Sequence, residues 1–164
     1  MAQDGADLDV ERIDDRSIDP WPSGQTCEAL LNFTSHMPID RRLDPSTNVM
    51  RTTIWGLISI HELRQILDAA SETNSHRYCE VIDARSAEPL VSARDLPGLA
   101  SHGRKLYGGV TLAPRAVVVK QNDLFLFGIA RLFSALAAPW ITLRVFDNLE
   151  AAVDYITAMT QSQS

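Results

Sequence analysis

Six polar residues in the middle of the chain could bind a small anion or the backbone of a partner protein. They are Asp83, Arg85, Ser86, Ser92, Arg94 and Asn122. Asp83 directly follows an extended run over residues 77–82, and Asn122 follows the apolar run 116–119. Open α/β sheets bind ligands beyond the carboxyl ends of their strands. The pattern therefore predicts a polar site at one sheet edge; the alternative is that Asp83 only pairs with Arg85 or caps a loop.

The sequence contains no complete catalytic or metal-binding motif. His61-Glu62-Leu63-Arg64-Gln65 resembles a zinc-protease helix, but Gln65 stands where the second histidine ligand must be. The nucleophile-elbow, phosphate-loop and dinucleotide-binding glycine motifs are also missing. We therefore predict no catalytic residue, no cofactor and no metal. The remaining enzymatic interpretation uses Asp83 with Arg94 or Arg115.

The negative charge lies in the N-terminal segment. Residues 1–36 hold eight of the 21 acidic and two of the 15 basic residues, which leaves thirteen of each in residues 37–164. We expect residues 1–36 to be a disordered acidic tail, residues 37–160 a folded domain and residues 161–164 a flexible end. Met37 is an alternative translation start. A neutral domain without a basic stripe argues against nucleic-acid binding.

Cysteine usage and hydropathy predict a cytoplasmic protein. Cys27 and Cys79 form neither a disulfide framework nor a CxxC pair. The N-terminus is acidic and lacks the apolar stretch of a secretory signal. The most apolar run, 124–140, is interrupted by Arg131 and Pro139 and is shorter than the roughly 20 residues that a membrane span needs.

Strand-like and helical runs alternate from residue 39 onward. Extended runs occupy residues 39–43, 49–55, 77–82, 116–119 and 141–146, and helices are expected to start at Ser59, Ser92, Asp123 and Asn148. The order is β-β-α-β-α-β-α-β-α. This order predicts an α/β fold with a single mixed, mostly parallel sheet of about five strands, covered by about four helices.

The helix that follows Asp123 is apolar on every side and is therefore expected to be buried on every side. Neighbouring helices could cover it. Otherwise its surface around Phe125, Ile129 and Phe133 forms a homodimer interface, or it lines a pocket for a small apolar ligand.

Several segments of residues 37–160 resemble proteins of the SpoIIAA-like superfamily, which includes STAS domains and CRAL-TRIO lipid carriers. The segments are Met37-Pro38-Ile39, Gly56 with its capped helix, Val81-Ile82-Asp83-Ala84-Arg85, Pro114 to Val119, Phe127 to Phe133 and Arg144 to Ala152. The resemblance implies a bacterial domain of SpoIIAA-like fold. STAS regulators are similar in placing a phosphorylatable serine between the third strand and the next helix. Ser86 and Ser92 lie in this segment, but neither has the adjacent glycine.

From the residues and the resemblance together, we predict a non-catalytic regulatory or protein-interaction module that associates with itself or with another protein. The alternative is a carrier or sensor of a small apolar or lipid-like ligand, held beneath the apolar helix.

Overall fold

A single five-stranded sheet carries four helices in the computed structural model, which describes residues 39–162. The strands are β1 (Ile39–Asp44), β2 (Val49–Ser59), β3 (Cys79–Leu90), β4 (Leu112–Val118) and β5 (Ile141–Phe146). The helices are α1 (Ile60–Glu72), α2 (Leu96–Tyr107), α3 (Leu124–Ala137) and α4 (Leu149–Gln161), with a 3-10 turn at Ser75–Arg77. The predicted α/β class and element order are confirmed. The predicted tail, the start at Met37, Cys27 and the last two residues lie outside the described range.

The strands follow one another across the sheet in chain order. β1 and β2 are antiparallel, and every later neighbouring pair is parallel. Right-handed crossovers between successive parallel strands place their connecting helices on one face. Accordingly α1, α2 and α3 share one face with Trp140 and Ile141, whereas α4 covers the other face through Ala152 and Ile156.

Three of the four helices begin at a side chain that caps the backbone. Ser59 and Glu62 form a complete capping box at α1, Asp123 accepts from the Leu126 amide at α3, and Asn148 accepts from two amides at α4. The predicted start of α2 at Ser92 is wrong. Asp95 occupies the N-cap position, and its carboxylate turns back to accept from the amide and hydroxyl of Ser92.

β3 is longer than predicted, so Asp83, Arg85 and Ser86 lie inside the strand instead of beyond its end. The segment Ala84-Arg85-Ser86-Ala87-Glu88 has few strand-favouring residues, and its pairing with β2 overrides this local preference. β4 pairs with β3 only as far as Asp83, so the later parts of β2 and β3 extend as a two-stranded ribbon. A register shift between Thr53 and Trp55 accompanies the start of this ribbon.

Candidate functional site

An apolar cavity of about 170 Å³ lies between the sheet and helices α1, α2 and α3. Its floor is formed by alternate residues of β2 to β5, and the extended β2–β3 ribbon contributes Ile58, Ala87 and Pro89. Helix α3 covers part of it with Leu126, Ile129, Ala130 and Phe133, and the cavity is partly open to solvent. Arg115 is the sole charged residue among the described side chains that line it. The cavity can therefore receive an apolar molecule, and one charged residue forms part of its wall.

Arg115 belongs to a buried ion cluster on the same face of the sheet. Glu80 and Arg115 are register partners on β3 and β4, and Nη1 of Arg115 lies 3.2 Å from Oε2 of Glu80. Their side chains are only 2% and 4% exposed. The other oxygen of Glu80 accepts from the Thr52 hydroxyl at 2.5 Å and lies 3.5 Å from Nε of Arg41. Both oxygens of this carboxylate are thus occupied.

Two donors of Arg115 have no partner among the described residues. Its Nε and Nη2 atoms are buried and make no hydrogen bond there. Removing such donors from water without a hydrogen bond is unfavourable, and more so when the group is charged. Arg115 is therefore the least satisfied polar group on the cavity wall.

Tyr107 borders the same cluster and contributes a neutral side chain to it. Its hydroxyl donates to the carbonyl oxygen of Leu67 at 2.9 Å, and its ring lies 5.7 Å from that of Trp140 and 5.5 Å from that of His76. Burial raises the pKa of Tyr107 above 10.0, and this effect exceeds the opposing influence of Arg115 and Arg41. The tyrosine stays protonated at neutral pH and does not balance the charge of the arginines.

Helix α3 is not buried on every side, contrary to the expectation from its composition. Leu124 and Phe125 are 84% and 60% exposed, and Leu132 and Leu136 are exposed as well. Ile129 and Phe133 face inward to the cavity, and the Phe133 ring meets Trp140 edge-on at 6.4 Å. The predicted interface residues therefore divide between two faces, because a helix of this composition has apolar residues left over after one side has packed on the sheet.

The predicted polar site is centred on a local ion pair. Both oxygens of Asp83 bind Arg85, at 2.8 Å to Nε and 2.6 Å to Nη2. This hydrogen bonding outweighs partial burial and lowers the pKa of Asp83 below 3.8. Strand alternation puts Asp83 on the α4 face of the sheet, since Val81 packs there, whereas Arg115 lines the cavity on the other face. Asp83 and Arg115 therefore lie on opposite faces of the sheet.

The other predicted site residues are exposed, and no hydrogen bond or ion pair joins them to Asp83 within the described range. Ser86 lies in β3, and Arg94 lies in the turn before α2. Ser92 donates its hydroxyl to Asp95 at 2.7 Å. Asn122 takes a left-handed backbone conformation, with φ of 67°, in the turn before α3. A site made by all six residues stays a prediction.

Sequence reasoning did not identify the Glu80–Arg115 cluster. A usable pattern was present, because each charge stands beside a buried apolar strand residue, Glu80 before Val81 and Arg115 before Ala116. Opposite charges inside two buried strands indicate an internal ion pair. Their register could not be deduced, since it depends on how the strands align.

Two features are absent from residues 39–162. This range contains no group of three or more histidine, cysteine, aspartate and glutamate side chains placed to hold a metal ion. None of its helices is long and apolar enough to cross a membrane.

The chain is similar to solved structures of low sequence identity. No protein-family model and no curated protein matches it. A solved structure of an uncharacterised DUF3478-family protein with a SpoIIAA-like fold, from Shewanella loihica, matches with 15% identity and a TM-score of 0.48, covering 72% of this chain and 93% of that one. The Bacillus cell fate determinant SpoIIAA, in its phosphorylated form, matches with 12% identity and a TM-score of 0.37, covering 72% and 98%.

Proposed function

We propose that this protein is a non-catalytic regulatory module that senses or carries a small apolar molecule in the cavity beneath α3. The cavity itself is the observation that carries the proposal. Protein interiors are packed about as densely as organic crystals, and voids larger than a water molecule are few. The apolar space here measures about 170 Å³ and is partly open to solvent. An apolar ligand that fills it would remove the apolar lining from water, which is favourable.

The size and lining of the cavity define the ligand class. An apolar cavity of roughly 150 Å³ stays dry and binds benzene-sized molecules. The present cavity is similar in volume and is lined almost entirely by aliphatic and aromatic side chains. Its ligand is therefore a small, mainly apolar molecule with on the order of ten non-hydrogen atoms, smaller than a membrane lipid.

Helix α3 connects ligand binding to a regulatory output. Its inner face, with Ile129 and Phe133, lines the cavity, and its outer face exposes Leu124, Phe125 and Leu132. A ligand that shifts α3 relative to the sheet would change the surface offered to a protein partner. This arrangement requires no catalytic group.

The test is a titration of the full chain with 1-octanol, followed by amide NMR. We expect saturable shifts at amides of α3 and of the strands beneath it. Ala130→Phe, which places a ring in the cavity, should abolish these shifts. Ala158→Phe, at an exposed position on α4, should leave them unchanged. Absence of saturable binding of both 1-octanol and its carboxylate counterpart, octanoate, to the wild-type protein would rule out the proposed function.

Self-association through the outer face of α3 is a second candidate. It is favoured by the exposure of Leu124, Phe125, Leu132 and Leu136 on one helix, since contiguous exposed apolar surface marks an interaction site. The partner is then a second copy of the chain. Native mass spectrometry should show a dimer that Phe125→Asp combined with Leu132→Asp converts to a folded monomer. A wild-type protein that is monomeric at all concentrations would exclude this candidate.

A further inference from the structure

We propose that the ligand of the cavity carries a carboxylate, and that Arg115 binds this carboxylate through its Nε and Nη2 donors. This inference rests on the proposed function and adds the chemical class of the ligand: a small apolar carboxylic acid, bound as its anion.

The buried cluster holds more positive than negative charge. Arg41 and Arg115 both approach the single carboxylate of Glu80, at 3.5 Å and 3.2 Å. Both arginines are positively charged at all ordinary pH values. Tyr107 is neutral, as described above, and none of the described residues lining the cavity has a carboxylate. The two guanidinium groups thus share one carboxylate. Arg41 is 18% exposed and is partly solvated, whereas Arg115 is only 4% exposed, so a second carboxylate would stabilise the charge of Arg115 more than that of Arg41.

The free donors of Arg115 have the geometry that a carboxylate requires. Glu80 lies against Nη1, and the two atoms without partners are Nε and Nη2. These two nitrogens lie along one edge of the planar guanidinium and point their N–H bonds in parallel. A carboxylate accepts from such an edge through both oxygens, and charge-assisted bidentate pairs of this kind are stronger than ordinary hydrogen bonds.

Glu80 cannot supply these missing contacts. Its Oε1 atom is held by Thr52 and Arg41, and Thr52 is itself buried and accepts a hydrogen bond from Arg41 at 3.3 Å. Rotating the carboxylate of Glu80 toward the Nε–Nη2 edge of Arg115 would break its contacts with Thr52 and Arg41. Arg115 lines the cavity, but its Nε and Nη2 atoms are covered by neighbouring atoms, so a carboxylate that enters the cavity pairs with them after the guanidinium moves toward it.

The experiment compares two ligands that differ in charge and little in shape. Octanoate and 1-octanol are titrated into the full chain at neutral pH, with binding followed by calorimetry and by the side-chain Nε signal of Arg115 in NMR. We expect octanoate to bind roughly tenfold more tightly, or better, and to shift the Arg115 Nε signal, whereas 1-octanol leaves that signal in place.

A conservative variant separates the charge of Arg115 from its shape. Arg115→Lys keeps the positive charge but loses the planar edge with its parallel donors. It should reduce octanoate affinity by about tenfold and change 1-octanol affinity little. Should Arg115→Lys fail to fold, the Nε signal of the wild-type protein still decides the question without a variant.

The outcomes distinguish this inference from the proposed function. Equal binding of both ligands, with an unmoved Arg115 Nε signal, overturns the inference and leaves the apolar ligand site intact. Failure of both ligands to bind overturns the proposed function and the inference with it. Tighter octanoate binding that Arg115→Lys does not weaken, with the Nε signal unmoved, places the carboxylate elsewhere and also overturns the inference.

Discussion

Glu80 and Arg115 face each other on neighbouring parallel strands, and their side chains form an ion pair that is almost fully buried. Replacing Glu80 with alanine leaves two arginines without their carboxylate. We expect Glu80→Ala to lower the free energy of unfolding by about 3–5 kcal/mol, because the remaining buried charges are uncompensated. Urea denaturation measures this change.

Glu88 provides the matched control for this prediction. It lies in the same strand but is exposed, so Glu88→Ala should change stability by no more than about 0.5 kcal/mol. Similar losses in the two variants would contradict the assignment of Glu80 to a buried cluster.

Gly103 in α2 allows the indole of Trp140 to pack against the helix. A Cβ atom at this position would lie 2.5 Å from Cη2 and 2.7 Å from Cζ2 of Trp140. Tyr107 stacks on the ring and Phe133 meets its edge, so the ring can retreat only toward the cavity that it lines, at the expense of these two contacts. We expect Gly103→Ala to destabilise the domain by about 1–3 kcal/mol, measured by thermal or urea denaturation.

Gly98 in the same helix tests whether that effect is steric. A Cβ there would make only an ordinary contact, 3.5 Å from Nη2 of Arg64. Gly98→Ala should therefore be neutral or stabilise the protein by up to about 1 kcal/mol through helix propensity. Equal changes in stability in Gly103→Ala and Gly98→Ala would show that Trp140 does not pack against Gly103.

The two phenylalanines of α3, Phe125 and Phe133, are expected to respond differently to substitution. Phe133 is half-buried and contacts Trp140, so Phe133→Ala should cost about 2–3 kcal/mol, less than the loss at a fully buried phenylalanine. Phe125 is exposed, and Phe125→Ala should change the free energy of unfolding by no more than about 0.5 kcal/mol in a monomeric sample. Denaturant titrations at low protein concentration make the comparison. A larger loss at Phe125 would mean that its side chain is covered in solution.

The ion pair between Asp83 and Arg85 makes a pH-dependent contribution to stability. The folded-state pKa of Asp83 is lowered, chiefly by the hydrogen bond from Arg85. The contribution is therefore complete above the ordinary value of 3.8 and is lost as the pH falls through the lower folded value. Asp83→Asn should lower stability by about 0.2–1 kcal/mol at pH 7, because Arg85 is partly exposed. The difference from wild type should shrink in acid.

A double-mutant cycle with Arg85→Gln checks that the Asp83 effect comes from this pair. At pH 7 the two single losses should not add, since either substitution removes the same interaction. Full additivity, or a difference between Asp83→Asn and wild type that persists below the folded pKa, would show that the loss has another cause.

The element order followed from local patterns in the chain. The β-branched run before Val119, the Asp123 and Asn148 caps and the Ser59–Glu62 capping box each report on neighbouring residues, and the structure contains the elements that they predicted. Patterns of this kind survive in the sequence because hydrogen bonds to caps and side-chain alternation act over a few residues.

The features that define the candidate site depend on residues far apart in the chain. β3 continues to Leu90 because β2 pairs with it. Asp83, which was predicted to follow the end of the strand, therefore lies inside it. The apolar composition of α3 predicted that more than one of its sides would be covered. Only packing decided that Ile129 and Phe133 face the cavity while Phe125 faces solvent.

The sequence by itself determined the class of the fold, the order of its elements and the presence of one helix with more apolar surface than the sheet can cover. Tertiary structure alone decided that Glu80 and Arg115 meet, that Glu80 occupies Nη1, and that Arg115 lines an apolar cavity while two of its donors have no partner among the described residues. The physical reason is that the free energy of a buried charge depends on its neighbours, which here lie on other strands. The alignment of those strands is set only when the whole sheet and its helices pack together.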